Sequence, residues 1–143
     1  MATSNAATNY LERRILDFIF KNNALSFASP GDSLYVGLAT AVSAAETGSL
    51  TEANFTNYVR KQVTAANWTT IGADSTDTQT AKNAANIEFP ASGGTNNTIS
   101  HVFVADALTG GNILFVGALD VSKLIADGDI FRINTGNLTI ELK

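Results

Sequence analysis

The 143-residue chain has no cysteine, one histidine (His101), one tryptophan (Trp68), two prolines and few charges. Each scarcity excludes something. Without cysteine there is no disulfide and no thiolate chemistry. With one imidazole there is no zinc site, which draws on several His or Cys ligands. His101 lies between Ser100 and Val102 in a strand-like stretch and has no nucleophile elbow of the G-x-S-x-G type to serve. It reads as a hydrogen-bonded structural histidine. Charged residues make up 15% of the chain, against about 25% in soluble domains generally. The net charge is −4. Arg13, Arg14, Arg60, Lys61, Lys123, Arg132 and Lys143 are scattered along the chain, so the basic patch of a nucleic-acid binder is absent. No apolar run approaches the roughly 18 residues of a membrane span, and residues 1–9 lack the basic start and apolar stretch of a signal peptide. Neither nucleic acid nor membrane is expected as a partner.

Acidic groups offer little more. Asp127-Gly128-Asp129 and Asp74-Ser75-Thr76-Asp77 lack the spaced oxygen ligands and terminal Glu of an EF-hand and read as turns. Glu46, Glu52 and Glu88 are available carboxylates, but hydrolysis of a glycoside needs a pair at a set separation, and no motif marks one. Asn-x-Thr occurs at Asn54, Asn67, Asn96 and Asn137, as chance provides in a chain this rich in Asn and Thr. No enzyme activity, cofactor or metal is expected.

What the chain does have is 45% apolar residues and an abundance of Thr, Asn, Ser and Gly. A chain of this length buries about 68–70% of its unfolded surface and needs no staple. Its weakly charged skin has two readings. It is either the exposed Thr-rich face of ordinary sheets or a surface made to be covered by neighbours.

The elements follow from periodicity. Residues 1–8 are small, polar and aperiodic, and read as a flexible arm. Asn9 offers a helix N-cap with Glu12 three residues on. Leu11, Ile15, Phe18 and Ile19 recur at helical spacing, with Arg13, Arg14, Asp17 and Lys21 opposite. The pattern predicts an amphipathic helix over 9–21, about 18 Å long, able to lie across a sheet and cover its apolar face. Pro30-Gly31-Asp32 is a turn signal. Residues 33–40 alternate, with Leu34, Val36 and Leu38 on one face. Residues 41–57 read as a long loop with a helical turn at 51–55, and loops of that length are commonly functional. A strand is expected at 58–66, a polar loop at 72–80, and further strands at 81–89, 98–105, 112–119, 130–133 and 138–142. In the last, Leu138, Ile140 and Leu142 face inward. Many short strands between Gly and Asn turns argue for a mainly β fold. The expectation is an antiparallel β-sandwich or jelly-roll-like barrel, with one N-terminal helix, residues 9–143 forming a single domain.

Contact candidates come from the arm and the loops. Thr3, Ser4 and Asn5 belong to the arm; Glu52 and Phe55 lie in the long loop; Tyr58, Arg60 and Trp68 follow it. Arg60 beside Tyr58 suits an interface, where both types are enriched, or a structural salt bridge. Phe55, Tyr58 and Trp68 suit a sugar-stacking platform, or core and interface anchors.

Several segments together resemble a known family. They are Tyr10-Leu11-Glu12 leading into Ile15-Leu16-Asp17-Phe18-Ile19-Phe20, the strand Tyr35-Val36-Gly37-Leu38-Ala39-Thr40, Tyr58-Val59-Arg60 after Glu52, Ile87-Glu88-Phe89-Pro90, Gly110-Gly111-Asn112-Ile113-Leu114, Gly128-Asp129, and Gly136-Asn137-Leu138-Thr139-Ile140. Their order resembles the small virion structural proteins of tailed bacteriophages, the tail-fibre-like and capsid decoration or cement proteins. The resemblance implies a non-enzymatic component located in the virion and assembled in the host cytoplasm. As a decoration or cement protein it would bind across major capsid protein subunits and stabilise the shell. The alternative is a tail or tail-fibre component contacting other tail proteins or host surface glycans. A homo-oligomer, dimer or trimer, is expected in either case.

Overall fold

The apolar alternation at 34–40 and 98–105 becomes two paired strands at the centre of an antiparallel sheet. The computed structural model describes residues 5–25, 34–69 and 79–142. Its elements are β1 (Ala6–Ala7), α1 (Asn9–Lys21), β2 (Tyr35–Ala44), β3 (Ser49–Glu52), β4 (Lys61–Gln62), a 3-10 turn (Ala65–Asn67), β5 (Gln79–Lys82), β6 (Ile87–Glu88), β7 (Asn97–Ala105), β8 (Ile113–Ile125), β9 (Arg132–Ile133) and β10 (Thr139–Leu142). The main sheet runs β1-β8-β7-β2-β3, and β4 continues the β2 edge. Two small antiparallel pairs, β5 with β10 and β6 with β9, complete the fold. It is mainly β, antiparallel throughout and sandwich-like, with one N-terminal helix.

The register explains the core. Val36 pairs with Val104 and Leu38 with Val102. One face of the sheet is thereby apolar, and it shares a buried cluster with Phe55, Ile87, Phe89, Phe131 and Ile133. Leu138 and Ile140 pack against that cluster half-buried, as the last strand's alternation predicts. The opposite face holds a smaller cluster of Ala39, Ala45, Phe103, Ala105 and Val116.

One glycine is required by packing. Gly37 lies opposite Phe103 in the ladder, and a Cβ there would sit 2.2 Å from Phe103 Cζ. The ring is buried among Ala39, Ala45, Ala105 and Val116, and the Arg60 guanidinium lies 5.0 Å from its centroid. It therefore cannot retreat without disturbing that cluster or the buried Arg60 cation. Gly37→Ala is expected to cost about 2–3 kcal/mol, the upper part of the range for overpacking. Chemical denaturation measures it, and a neutral result would show that the ring is free to shift.

Five local expectations are corrected. The helix cap is Thr8 rather than Asn9: its Oγ1 accepts from Leu11 N–H at 3.4 Å and donates to Ile113 C=O at 2.6 Å. Thr8 gains a tertiary acceptor as well as a helical donor, which Asn9, exposed on the first turn, does not. Residues 41–57 are no long loop, because β2 runs on to Ala44 and turns back as β3, with bulges that its small residues tolerate. The strand expected at 58–66 shrinks to β4 and the 3-10 turn. The helix does not cover the sheet: only Leu11 is buried, while Leu16, Phe18, Ile19 and Phe20 are exposed. Residues 6–8, read as part of an arm, pair with β8 and cap α1. The Pro30-Gly31-Asp32 turn and residues 72–78 of the polar loop lie outside the described residues, and Gln79–Thr80 begin β5. No described helix is long and apolar enough to cross a membrane.

Candidate functional site around Arg60

Between β3 and β4 the edge of β2 changes partners. Ala39 pairs with Glu52 of β3, and Val36 pairs with Lys61 of β4. Leu38 lies in between, paired with Val102 of β7 on one side but with no strand on this edge. Ala53 N–H donates to Leu38 C=O at 2.8 Å, and Leu38 N–H donates to the Tyr58 hydroxyl at 3.0 Å. A side chain thus completes the ladder where the backbone leaves it. The connecting turn is pinned by buried Asn97, whose Oδ1 accepts from the N–H groups of Asn54 (2.7 Å) and Phe55 (3.0 Å).

Tyr58 passes the network on. Its hydroxyl donates to Glu52 Oε1 at 2.8 Å. Arg60 grips the same carboxylate with both arms of its fork, Nε to Oε1 and Nη2 to Oε2, each 2.8 Å. Such a bidentate pair is the strong form of the ion pair. Arg60 Nη1 donates to the carbonyls of Ala107 and Gly110, each 2.8 Å away. Arg60 is 7% exposed and Glu52 half-buried. Burial pushes the Tyr58 phenol well above its usual pKa, and Glu52 adds to the shift. The hydrogen bond to Glu52 raises the Arg60 pKa. Tyr58 therefore stays a neutral donor and Arg60 a fixed cation.

What Arg60 holds is the loop between β7 and β8. Asp106 closes its base, Oδ1 accepting from Asn112 N–H at 2.7 Å and Oδ2 from Asn112 Nδ2 at 2.8 Å. Gly110 and Gly111 both take left-handed φ, +61° and +69°, which glycine adopts without strain. The result is a braced loop that leaves Leu108 and Thr109 exposed at its tip.

Glu52, Phe55, Tyr58 and Arg60 are brought together, as their proximity in sequence suggested. Phe55 is buried, with its ring edge-on to Tyr58 at 5.3 Å. Arg60 forms the salt bridge that was one of its two readings. Trp68 sits elsewhere, half-buried against the main core and bridged to Asn83. Its Nε1 is buried with no partner among the described residues. Asn5 is exposed and its Oδ1 accepts from Ala118 N–H at 2.7 Å, while Thr3 and Ser4 lie outside the described residues. Sequence reasoning missed Asp106 and Asn112, although a Gly-Gly pair flanked by Asp and Asn marks a shaped turn.

The chemistry open to this arrangement is mechanical. Its donors and acceptors are satisfied by one another and by backbone. His101 is paired with Ser100 Oγ at 2.7 Å, and burial lowers its pKa, which favours the neutral imidazole. Among the described residues no three His, Asp or Glu cluster to hold a metal ion.

No curated protein matches the chain. A family model described as "Podophage GP4 fiber I protein gp80" matches residues 6–141, from the first strand into the last. With nearly the whole chain matched, the protein belongs to the podophage GP4 fiber I protein gp80 family and is a virion structural protein of the tail-fibre kind.

Proposed function

We propose that the protein is a non-catalytic subunit of the phage tail fibre, working as an oligomer by contact with other virion proteins. The observation that carries this is the fibre-family match across residues 6–141. The braced loop supports it, since a contact loop with a preset backbone loses little conformational entropy on binding. In this reading Glu52, Tyr58 and Arg60 act through the loop they hold, and Leu108, 46% exposed, meets the partner.

Localising the chain in the virion by cryo-electron microscopy tests the reading. Density along the fibre is expected. Density spread over the capsid lattice, with empty shells melting higher after adding the protein, would establish the decoration role instead. Turnover of a host polysaccharide by the pure protein would end the non-catalytic reading. Leu108→Asp is expected to leave stability within about 0.5 kcal/mol, as for an exposed site, while lowering incorporation into virions. Normal incorporation would remove the loop tip from the contact.

A further inference from the structure

Among the described residues, three other than glycine take left-handed φ: Asn22 at +56°, Asn57 at +75° and Thr95 at +54°. Two of them have a local reason. Asn22 is the C-cap of α1, and Asn57 Nδ2 donates to Ala91 C=O at 3.3 Å. Asparagine also adopts this conformation more readily than other side chains do. Thr95 has no such reason. It is β-branched, and for a β-branched residue left-handed backbone is a genuine outlier. Its side chain is exposed, and no hydrogen bond within the described residues offsets the strain.

The neighbouring turns impose the conformation. Gly94 C=O, in the peptide that leads into Thr95, accepts from Ser92 Oγ at 2.9 Å and from Thr56 N–H at 3.3 Å. Gly93 N–H donates to Thr56 C=O at 3.0 Å, and Gly128 N–H donates to Ser92 C=O at 2.7 Å. On the far side of Thr95, buried Asn97 holds the N–H groups of Asn54 and Phe55. Residues 91–97 are thus locked between the turns at 54–57 and 126–129. Strain that persists in so over-determined a setting marks a place where the conformation itself is used.

The chemistry of this end selects the partner. Thr95, Asn96, Asn54 and Thr56 are exposed there. Neither 53–59 nor 89–97 contains a charged residue. The third turn adds Asp127 and Asp129, and Asp129 Oδ2 accepts from Ala126 N–H at 2.9 Å. Phe55 and Phe89 are buried, so these turns present neither ring for a sugar to stack on. Neutral amides and hydroxyls on a preset backbone suit a protein surface. The groups that face them must be uncharged as well, because a charge buried there would go unpaired. The Leu108 loop follows the opposite end of β7, a strand of nine residues, and at ~3.4 Å per residue the two ends are about 30 Å apart.

We propose that the end of the fold bearing Thr95 is a second contact surface, which takes an uncharged protein surface of a neighbouring virion subunit, and that Thr95 keeps its strained backbone to present its side chain there. With Leu108 at the other end of β7, one subunit then meets neighbours at both ends. The contact rests on the protein's being a virion subunit that works through other virion proteins.

The test compares Thr95→Gly and Asn96→Glu with the parent chain. Thr95→Gly should raise the melting temperature of the isolated chain by about 2 °C, since relief of the strain outweighs the freedom that glycine adds to the unfolded state. Asn96→Glu, at an exposed side chain, should leave it unchanged within about 2 °C. In phage grown with variant and parent supplied together, each variant should enter virions about fivefold less than the parent, a loss of about 1 kcal/mol in contact. A melting temperature that falls with Thr95→Gly would show that there is no strain to relieve and would overturn the proposal. Normal incorporation of both variants would overturn it too, and normal incorporation with weakened adsorption to host cells would give the surface to the host instead. The position of the parent chain in the virion, read by cryo-electron microscopy, decides the fibre reading independently of both variants.

Discussion

Phe89→Ala is expected to lower the melting temperature by roughly 10–15 °C, the largest single loss in the molecule. Phe89 is 1% exposed at the centre of the main core. Its ring stacks on Tyr58 at 6.1 Å, nearly parallel, and meets Phe131 edge-on at 6.0 Å. Truncation removes a full aromatic side chain and both ring contacts. The cavity cannot collapse easily, because Tyr58 is tied by its hydroxyl to Leu38 and Glu52. Core Phe→Ala changes cost about 3–5 kcal/mol, and this site belongs toward the upper end. Calorimetry or thermal denaturation followed by circular dichroism reads the effect. A loss below about 1 kcal/mol would mean that the aromatic row from Phe55 to Phe131 is not a packed unit.

Glu52→Ala should come next, at about 3 kcal/mol. The change leaves the Arg60 guanidinium buried between two loop carbonyls and the face of Phe103, without its hydrogen-bonded counter-charge and with only the weaker influence of Asp106. Removing one member of a buried pair costs more than the pair contributes, because the remaining charge has lost its solvation. Partial exposure of the Glu52 side chain, 31%, keeps the figure at the lower end of that range. The loss also has a place. Hydrogen exchange should quicken at Leu38 N–H, whose acceptor Tyr58 loses its anchor, and through residues 106–112, which lose the fixed Arg60. Replacing Glu52 with Gln should recover part of the stability, since an amide oxygen still accepts from Tyr58 and Arg60. Unchanged exchange in the loop would show that Asp106 and Asn112 hold it without Arg60.

Both predictions rest on contacts of different legibility. The aromatic row joins residues drawn from three separated stretches, and each stretch announces itself as apolar and strand-like or turn-flanking. That they meet was visible only as the general demand that apolar residues find a core. The Arg60 cluster was half visible. Glu52, Tyr58 and Arg60 lie within nine residues of one another, but the choice between an interface and a salt bridge depends on the carbonyls of Ala107 and Gly110, 47 and 50 residues away. No local pattern encodes a backbone acceptor at that separation.

The hairpin of β2 and β3 was missed for a related reason. Residues 39–45 are mostly Ala, Ser and Thr, so the apolar alternation that marked 34–38 fades exactly where bulges set in. The strand persists because β3 supplies hydrogen-bond partners, which is a property of the pair. Helix α1 shows the converse. Its extent was plain, residues 9–21 in sequence and structure alike, because 3.6-residue periodicity and terminal charges are local signals. Which surface its apolar face meets is not a local signal.

By itself, then, the sequence determined the class of fold, the helix, most strands and the absence of any thiol, since each follows from residue type or short-range period. Tertiary structure decided that Arg60 braces a loop, that Gly37 makes room for Phe103, and that α1 stands off the sheet. Those outcomes depend on register and on contacts between distant segments, and a one-residue change in register would reverse which side chains face each other while leaving every local pattern intact.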